Sequence, residues 1–119
     1  MNIVSTFLRI QNQLRIFHWQ TKSYAQHKAF GKAYEELDGL VDDFIEVFMG
    51  KHGRVKAALK YVIELDNFDD ASTNEIVDSY IQYLTSLSED LLPTDTDLLN
   101  IRDEMLAVLH RLKYLLTLG

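Results

Sequence analysis

Four side chains stand out as candidates for chemistry: His18, His27, Asp42 and Glu46. Neutral imidazole is a ligand for iron, zinc or copper, and carboxylates supply the negative charge that a divalent cation requires. The chain has no cysteine, which excludes thiolate metal sites, disulfides and thiol nucleophiles, so any metal must use His, Asp and Glu. Asp42 and Glu46 are four residues apart, and on a helix that spacing projects both from neighbouring turns of one face, where they could grip one cation. They continue a stripe formed by His27, Gly31, Glu35 and Asp38. Like charges so placed destabilise an isolated helix by roughly 0.2–0.5 kcal/mol, so positive charge nearby is welcome. Alone, the stripe reads as a solvated face balanced by lysine and water. Two histidines near one corner of the same fold shift the reading towards metal.

Other catalytic patterns are missing. The residues three before His18, His27, His52 and His110 are Arg15, Tyr24, Met49 and Ala107, so the chain holds no Glu-x-x-His motif. It contains no His-Glu-x-x-His motif, phosphate-binding glycine loop or plausible Ser-His-Asp set. His52 is expected at a helix terminus and His110 on a bundle surface or interface, with Trp19 and the tyrosines serving first as packing residues.

The elements that must position these groups follow from hydrophobic period. Ile3, Phe7, Ile10, Leu14 and Phe17 recur every three or four residues, which predicts a first helix to about Lys22. Ser23, with Gln26 as the partner of a capping box, opens a second helix whose inner face is Phe30, Leu37, Val41, Phe44 and Phe48. Gly50 and Gly53 end it. Val55, Ala58, Leu59, Val62 and Ile63 predict a short connecting helix over residues 54–65. Ser72 or Thr73 caps a third helix with Ile76, Tyr80, Leu84, Leu87 and Leu91 on its stripe, and Pro93 stops it. A fourth begins near Thr94 or Asp95 and buries Leu98, Ile101, Met105, Leu109, Leu112 and Leu116. Four amphipathic helices bury their stripes most simply as a bundle, with the segment between helices two and three as a long crossover.

At 119 residues, the chain reads as one domain, residues 1–119. A formal charge of −6 and twelve scattered Lys and Arg residues argue against nucleic acid as a partner. No apolar run suggests a membrane span or a secretory leader, and the lack of cysteine suits a reducing cytoplasm, the expected location.

One subunit cannot gather all four ligands, because fifteen residues from His27 to Asp42 cover about 22 Å of helix. The site therefore calls for a second chain. If helix two packs antiparallel against its copy, with the two-fold axis near residues 35 and 36, His27 meets Asp42 and Glu46 of the partner. The same register sets Gly31 opposite Gly39 and would explain both glycines by close helix approach.

The run His18-Trp19, then His27, Tyr34-Glu35-Glu36-Leu37-Asp38 and Asp42-Asp43-Phe44-Ile45-Glu46 resembles the signature of Dps-type mini-ferritins. The resemblance covers the first 65 residues and extends over the last two helices only by pattern. It implies an all-α, ferritin-like four-helix bundle with a short crossover helix between helices two and three. It also implies iron binding, with ferrous-iron oxidation by peroxide or oxygen, at an intersubunit centre made of His18 and His27 from one subunit and Asp42 and Glu46 from the other. Zinc or another divalent metal could occupy such a site. The implied partner is the chain itself, as a two-fold homodimer that could extend to a dodecamer. The chain departs from the family in the shorter spacing between Trp19 and His27, in Gly31 where the family supplies a further carboxylate, and in lacking the basic tail of DNA-binding members. The alternative is a non-enzymatic bundle that keeps the fold as a structural or protein-interaction module.

Overall fold

The apolar stripes become four helices in the computed structural model, which describes residues 2–118. They are α1 (Ile3–Gln20), α2 (Tyr24–His52), α3 (Thr73–Asp90) and α4 (Thr96–Leu116), with a single 3-10 turn at Phe68–Asp70 and no strand among the described residues. Side-chain oxygens mark three of the starts: Asn2 accepts from the backbone of Val4 and Ser5, Ser23 from Gln26 and Ser72 from Glu75. The capping box at Ser23 is half made, because the Gln26 side chain accepts from the Thr21 hydroxyl instead. Helix α2 runs through Gly50 and stops at Gly53, whose φ of +90° suits a residue without Cβ.

The core draws on the stripes anticipated from the sequence, joined by Ala29, Ala33, Val77 and Val108, while Ile76, Leu91, Ile101 and Leu116 are only partly buried. Phe7, Phe17, Phe30, Phe44, Leu37, Leu84, Leu98, Met105 and Leu109 are fully buried. Each such side chain removed from water contributes roughly 1.5–3 kcal/mol before ordering costs. Phe7 meets Phe44 edge-on with ring centroids 5.0 Å apart, and Phe17 meets Phe30 at 5.5 Å, so α1 and α2 run antiparallel. Arg111 pairs with Glu36 and Lys51 with Asp97, which makes α2 and α4 antiparallel. Buried Arg102 of α4 donates to the carbonyls of Leu84 and Thr85, and Lys113 pairs with Asp78, so α3 and α4 are antiparallel too. The order is up, down, down, up, with one long crossover returning the chain between α2 and α3.

That crossover departs from expectation. Residues 54–65 form no helix; they run as an irregular strap along α1. Gln13, almost fully buried, donates to the Asp66 carbonyl and accepts from the Asp66 N–H, at 2.9 and 2.7 Å. Gln20 does the same for the Asn67 side chain and the Phe68 N–H. A short helix is marginal unless its apolar face is buried. Here Leu59 is 98% and Val62 67% exposed, so a helix would gain no core, while glutamines on α1 already hold the far end of the extended backbone.

Candidate functional site

His18 sits in the last turns of α1 and His27 in the first turn of α2, and the tight Thr21-Lys22-Ser23 turn folds one over the other. The imidazoles stack with centroids 3.9 Å apart and planes 17° from parallel. Each ring is held by the other residue's backbone. His18 Nδ1 lies 2.6 Å from the His27 carbonyl oxygen, and His27 Nδ1 lies 2.9 Å from the His18 carbonyl oxygen. A carbonyl only accepts, so both Nδ1 atoms carry the proton, and a neutral ring keeps its lone pair on Nε2. The carbonyl of His18 belongs to the last turn of α1, where helix carbonyls lack internal partners, so His27 also caps that helix. Nδ1–H bound to a carbonyl with Nε2 left over is the arrangement that orients a metal-binding histidine.

Gly31 makes this packing available. It is buried, and a Cβ on it would lie 2.8 Å from His18 Cε1 and 2.9 Å from His18 Nδ1. Within one protomer Gly31 faces the His18 ring, whereas Gly39 opens on empty space. One side chain cannot occupy both places, so a carboxylate at position 31 would have to displace His18. Tyr34 meets His18 edge-on at 5.3 Å and is covered by the Arg15 guanidinium 4.7 Å above its ring. Arg15 and Gln11 in turn engage the Asp38 carboxylate at 3.0 and 2.8 Å, which withdraws Asp38 from the acidic stripe. The pair borders an open cleft of about 500 Å³ that also takes in Lys28, Lys32, Glu35, Leu115 and Leu118.

Asp42 and Glu46 lie on the exposed face of α2, beyond the histidines along the helix, and neither forms an ion pair among the described residues. Of the four candidate ligands, only His18 and His27 come together within one protomer, and no group of three or more His, Asp or Glu that could hold a metal ion is found among the described residues. His52 and His110 take their expected places at a helix end and on the surface. Trp19 does not pack: it is 64% exposed, on the side of α1 turned away from its neighbours.

Residues 18–116 match DUF5856, described as a family of unknown function, and the match begins at the first histidine of the pair. The chain belongs to the DUF5856 family. This DUF5856 chain is also similar to an uncharacterized 14.6 kDa protein in the mobD-ri intergenic region of Enterobacteria phage T4, with 30% identity over 103 residues, covering 85% of this chain and 74% of that protein. No solved structure matches.

A second polar centre of the DUF5856 chain went unnoticed in the sequence. Buried Asp95 precedes α4 but caps its own turn, accepting from the Leu92 N–H, while its other oxygen meets Lys51 Nζ and His52 Nε2, each at 2.9 Å. The Lys51 ammonium foremost, with the Leu92 N–H, lowers the Asp95 pKa to about 2, and Asp97 and Asp95 raise that of Lys51. This clamp joins the end of α2 to the start of α4. Its only sequence signal was the position of Lys51 and His52 in a last helical turn. No described helix is long and apolar enough to cross a membrane.

Proposed function

We propose that this protein binds iron or a similar divalent cation at a site shared by two copies, with His18 and His27 from one protomer and Asp42 and Glu46 from its partner, and that ferrous iron is oxidised there by oxygen or peroxide. The observation that carries the reading is the reciprocal pinning of both Nδ1 atoms, which leaves an oriented Nε2 on each ring. The residues fit a metal in their donor chemistry, since two neutral imidazoles and two unpaired carboxylates suit a divalent ion. With ring planes 17° from parallel and centroids 3.9 Å apart, the two Nε2 lone pairs do not converge, so His18 and His27 would each hold metal separately. Support also comes from connectivity, because a bundle with one long crossover is the ferritin-like arrangement, and from the resemblance of the helix-two signature to mini-ferritins. The proposed assembly is a two-fold homodimer that packs α2 against its copy, with a dodecamer as its further extension and the cytoplasm as its setting.

The test is complementation between protomers. Asp42→Ala and Glu46→Ala should each abolish binding in a ferrous-iron titration while leaving helicity intact, because both side chains lie off the core. Mixing a His18→Ala, His27→Ala protein with an Asp42→Ala, Glu46→Ala protein should restore one intact site per mixed dimer. Unchanged iron binding in the acid variants, or no restoration on mixing of proteins shown to exchange protomers, would sink the shared site. A single observation favours the rival reading of a non-enzymatic interaction module: the same reciprocal bonds fasten the α1–α2 corner by themselves. Iron binding without oxidation would fit a retained, non-catalytic site, with the place of a further carboxylate taken by Gly31.

A further inference from the structure

The space between α1 and α3 is lined unlike the rest of the bundle. Here α1 presents Thr6 and Arg9, α3 presents Ser79, Tyr80 and Tyr83, and the strap contributes Asp66, around an open cavity of about 300 Å³. That volume stands at the lower end of the roughly 300–1,000 Å³ of small-molecule sites. Asp66 is not loose. Gln13 holds its backbone N–H and carbonyl, so its carboxylate has no part in fixing the strap. Arg9 also borders a smaller cavity of about 160 Å³ that it lines together with Val62, Ile63 and the carboxylate-bearing Glu64. Neither Arg9 nor Asp66 forms an ion pair among the described residues, although both line the same cavity. Burial pushes the Tyr80 phenol up to about 12, with the Arg9 charge pulling it down and Asp66 pushing it up, so at neutral pH the hydroxyl stays a donor.

We propose that this cavity binds a free α-amino acid, with the ligand carboxylate on Arg9 and its ammonium on Asp66. A lone anion would face the exposed Asp66 carboxylate and a lone cation would face the half-buried Arg9, so each would meet one like charge. A small ligand carrying both charges satisfies both. The planar guanidinium suits a carboxylate in bidentate fashion, the Tyr80 hydroxyl adds a donor, and Ile76 with the tyrosine rings offers an apolar wall for the ligand side chain. The site is independent of the histidine pair and needs no metal.

The experiment titrates the full chain with each standard amino acid at up to millimolar concentration by calorimetry, then compares the best binder with its des-amino acid. Saturable binding is expected, weakened about tenfold or more by Arg9→Gln and by Asp66→Asn, and less by Tyr80→Phe, with the des-amino acid bound more weakly than its parent by wild type. Arg9→Lys, which keeps the charge without the fork, should fall between wild type and Arg9→Gln. Circular dichroism of each variant separates lost binding from lost folding. No saturable binding by any amino acid would overturn the proposal. So would a folded Asp66→Asn that binds like wild type, or a des-amino acid that binds as well as its parent, which would mark a simple anion site.

Discussion

At the residue scale, the histidine pair shows how far spacing alone carries an argument. That His18 and His27 share a corner was legible, because a helix end and a helix start separated by a short turn must meet. Their stacking was not, since it depends on a glycine whose missing Cβ faces a ring thirteen residues earlier in the chain. Replacing Gly31 by Ala exposes two opposed effects. Alanine improves helix propensity by about 1 kcal/mol, but the new methyl would lie 2.8 Å from His18 Cε1, and overpacking of this kind costs about 1–3 kcal/mol. The ring is the end of a side chain and can swing away, so the net change in stability should be small while the stack is lost. Gly31→Ala is therefore expected to leave the unfolding free energy from urea titration within about 1 kcal/mol of wild type and to shift both imidazole resonances strongly by NMR. Unmoved imidazole signals would show that position 31 does not hold the ring in place.

At the element scale, the four helices were readable because each buries a continuous stripe, and period alone reports burial. The crossover was misread for the same reason. Val55, Leu59 and Val62 fall at helical spacing, yet an apolar stripe makes a helix only where something covers it, and Leu59 and Val62 stay exposed. What shapes the strap is polar and distant in sequence, with Gln13 and Gln20 of α1 gripping backbone groups at Asp66 and Phe68. Glutamine on or beside an apolar stripe was the available signal. Gln13→Ala deletes two hydrogen bonds to a partly buried backbone, with an expected cost of about 1–3 kcal/mol. The loss should be local: amide exchange at Asp66 should accelerate well beyond that in the helical core, and the amino-acid cavity walled by Asp66 should weaken with it. Equal acceleration throughout α2 would mean that the strap is not a separable unit.

At the scale of the whole molecule, the bundle is closed unevenly. The α1–α2 and α2–α4 sides carry the aromatic core and most cross-links, whereas the α1–α3 side leaves a cavity. The exposed face of α2, with Gly39, Asp42 and Glu46, is the surface on which the proposed dimer rests. At the opposite corner from the histidines, the Asp95 clamp ties the long second helix to the fourth, and its charges make global stability depend on pH. The Asp95 carboxyl titrates at about 2 in the folded chain instead of 3.8, so its contribution is fully present above about pH 4 and is lost as pH falls towards 2. Lys51, raised above its ordinary 10.5, contributes below that value and loses its part only as pH rises through the raised pKa. Between those limits the Asp95–Lys51 ion pair is complete. Asp95→Asn removes the charge while keeping one oxygen for the Leu92 N–H, so its urea midpoint should lie below wild type at neutral pH. The gap should close as pH drops from about 4 to 2, where wild-type Asp95 becomes neutral as well. A gap that persists unchanged at pH 2 would mean that the carboxylate acts through shape and hydrogen bonding alone, and that ion pairing with Lys51 contributes nothing to holding α2 against α4.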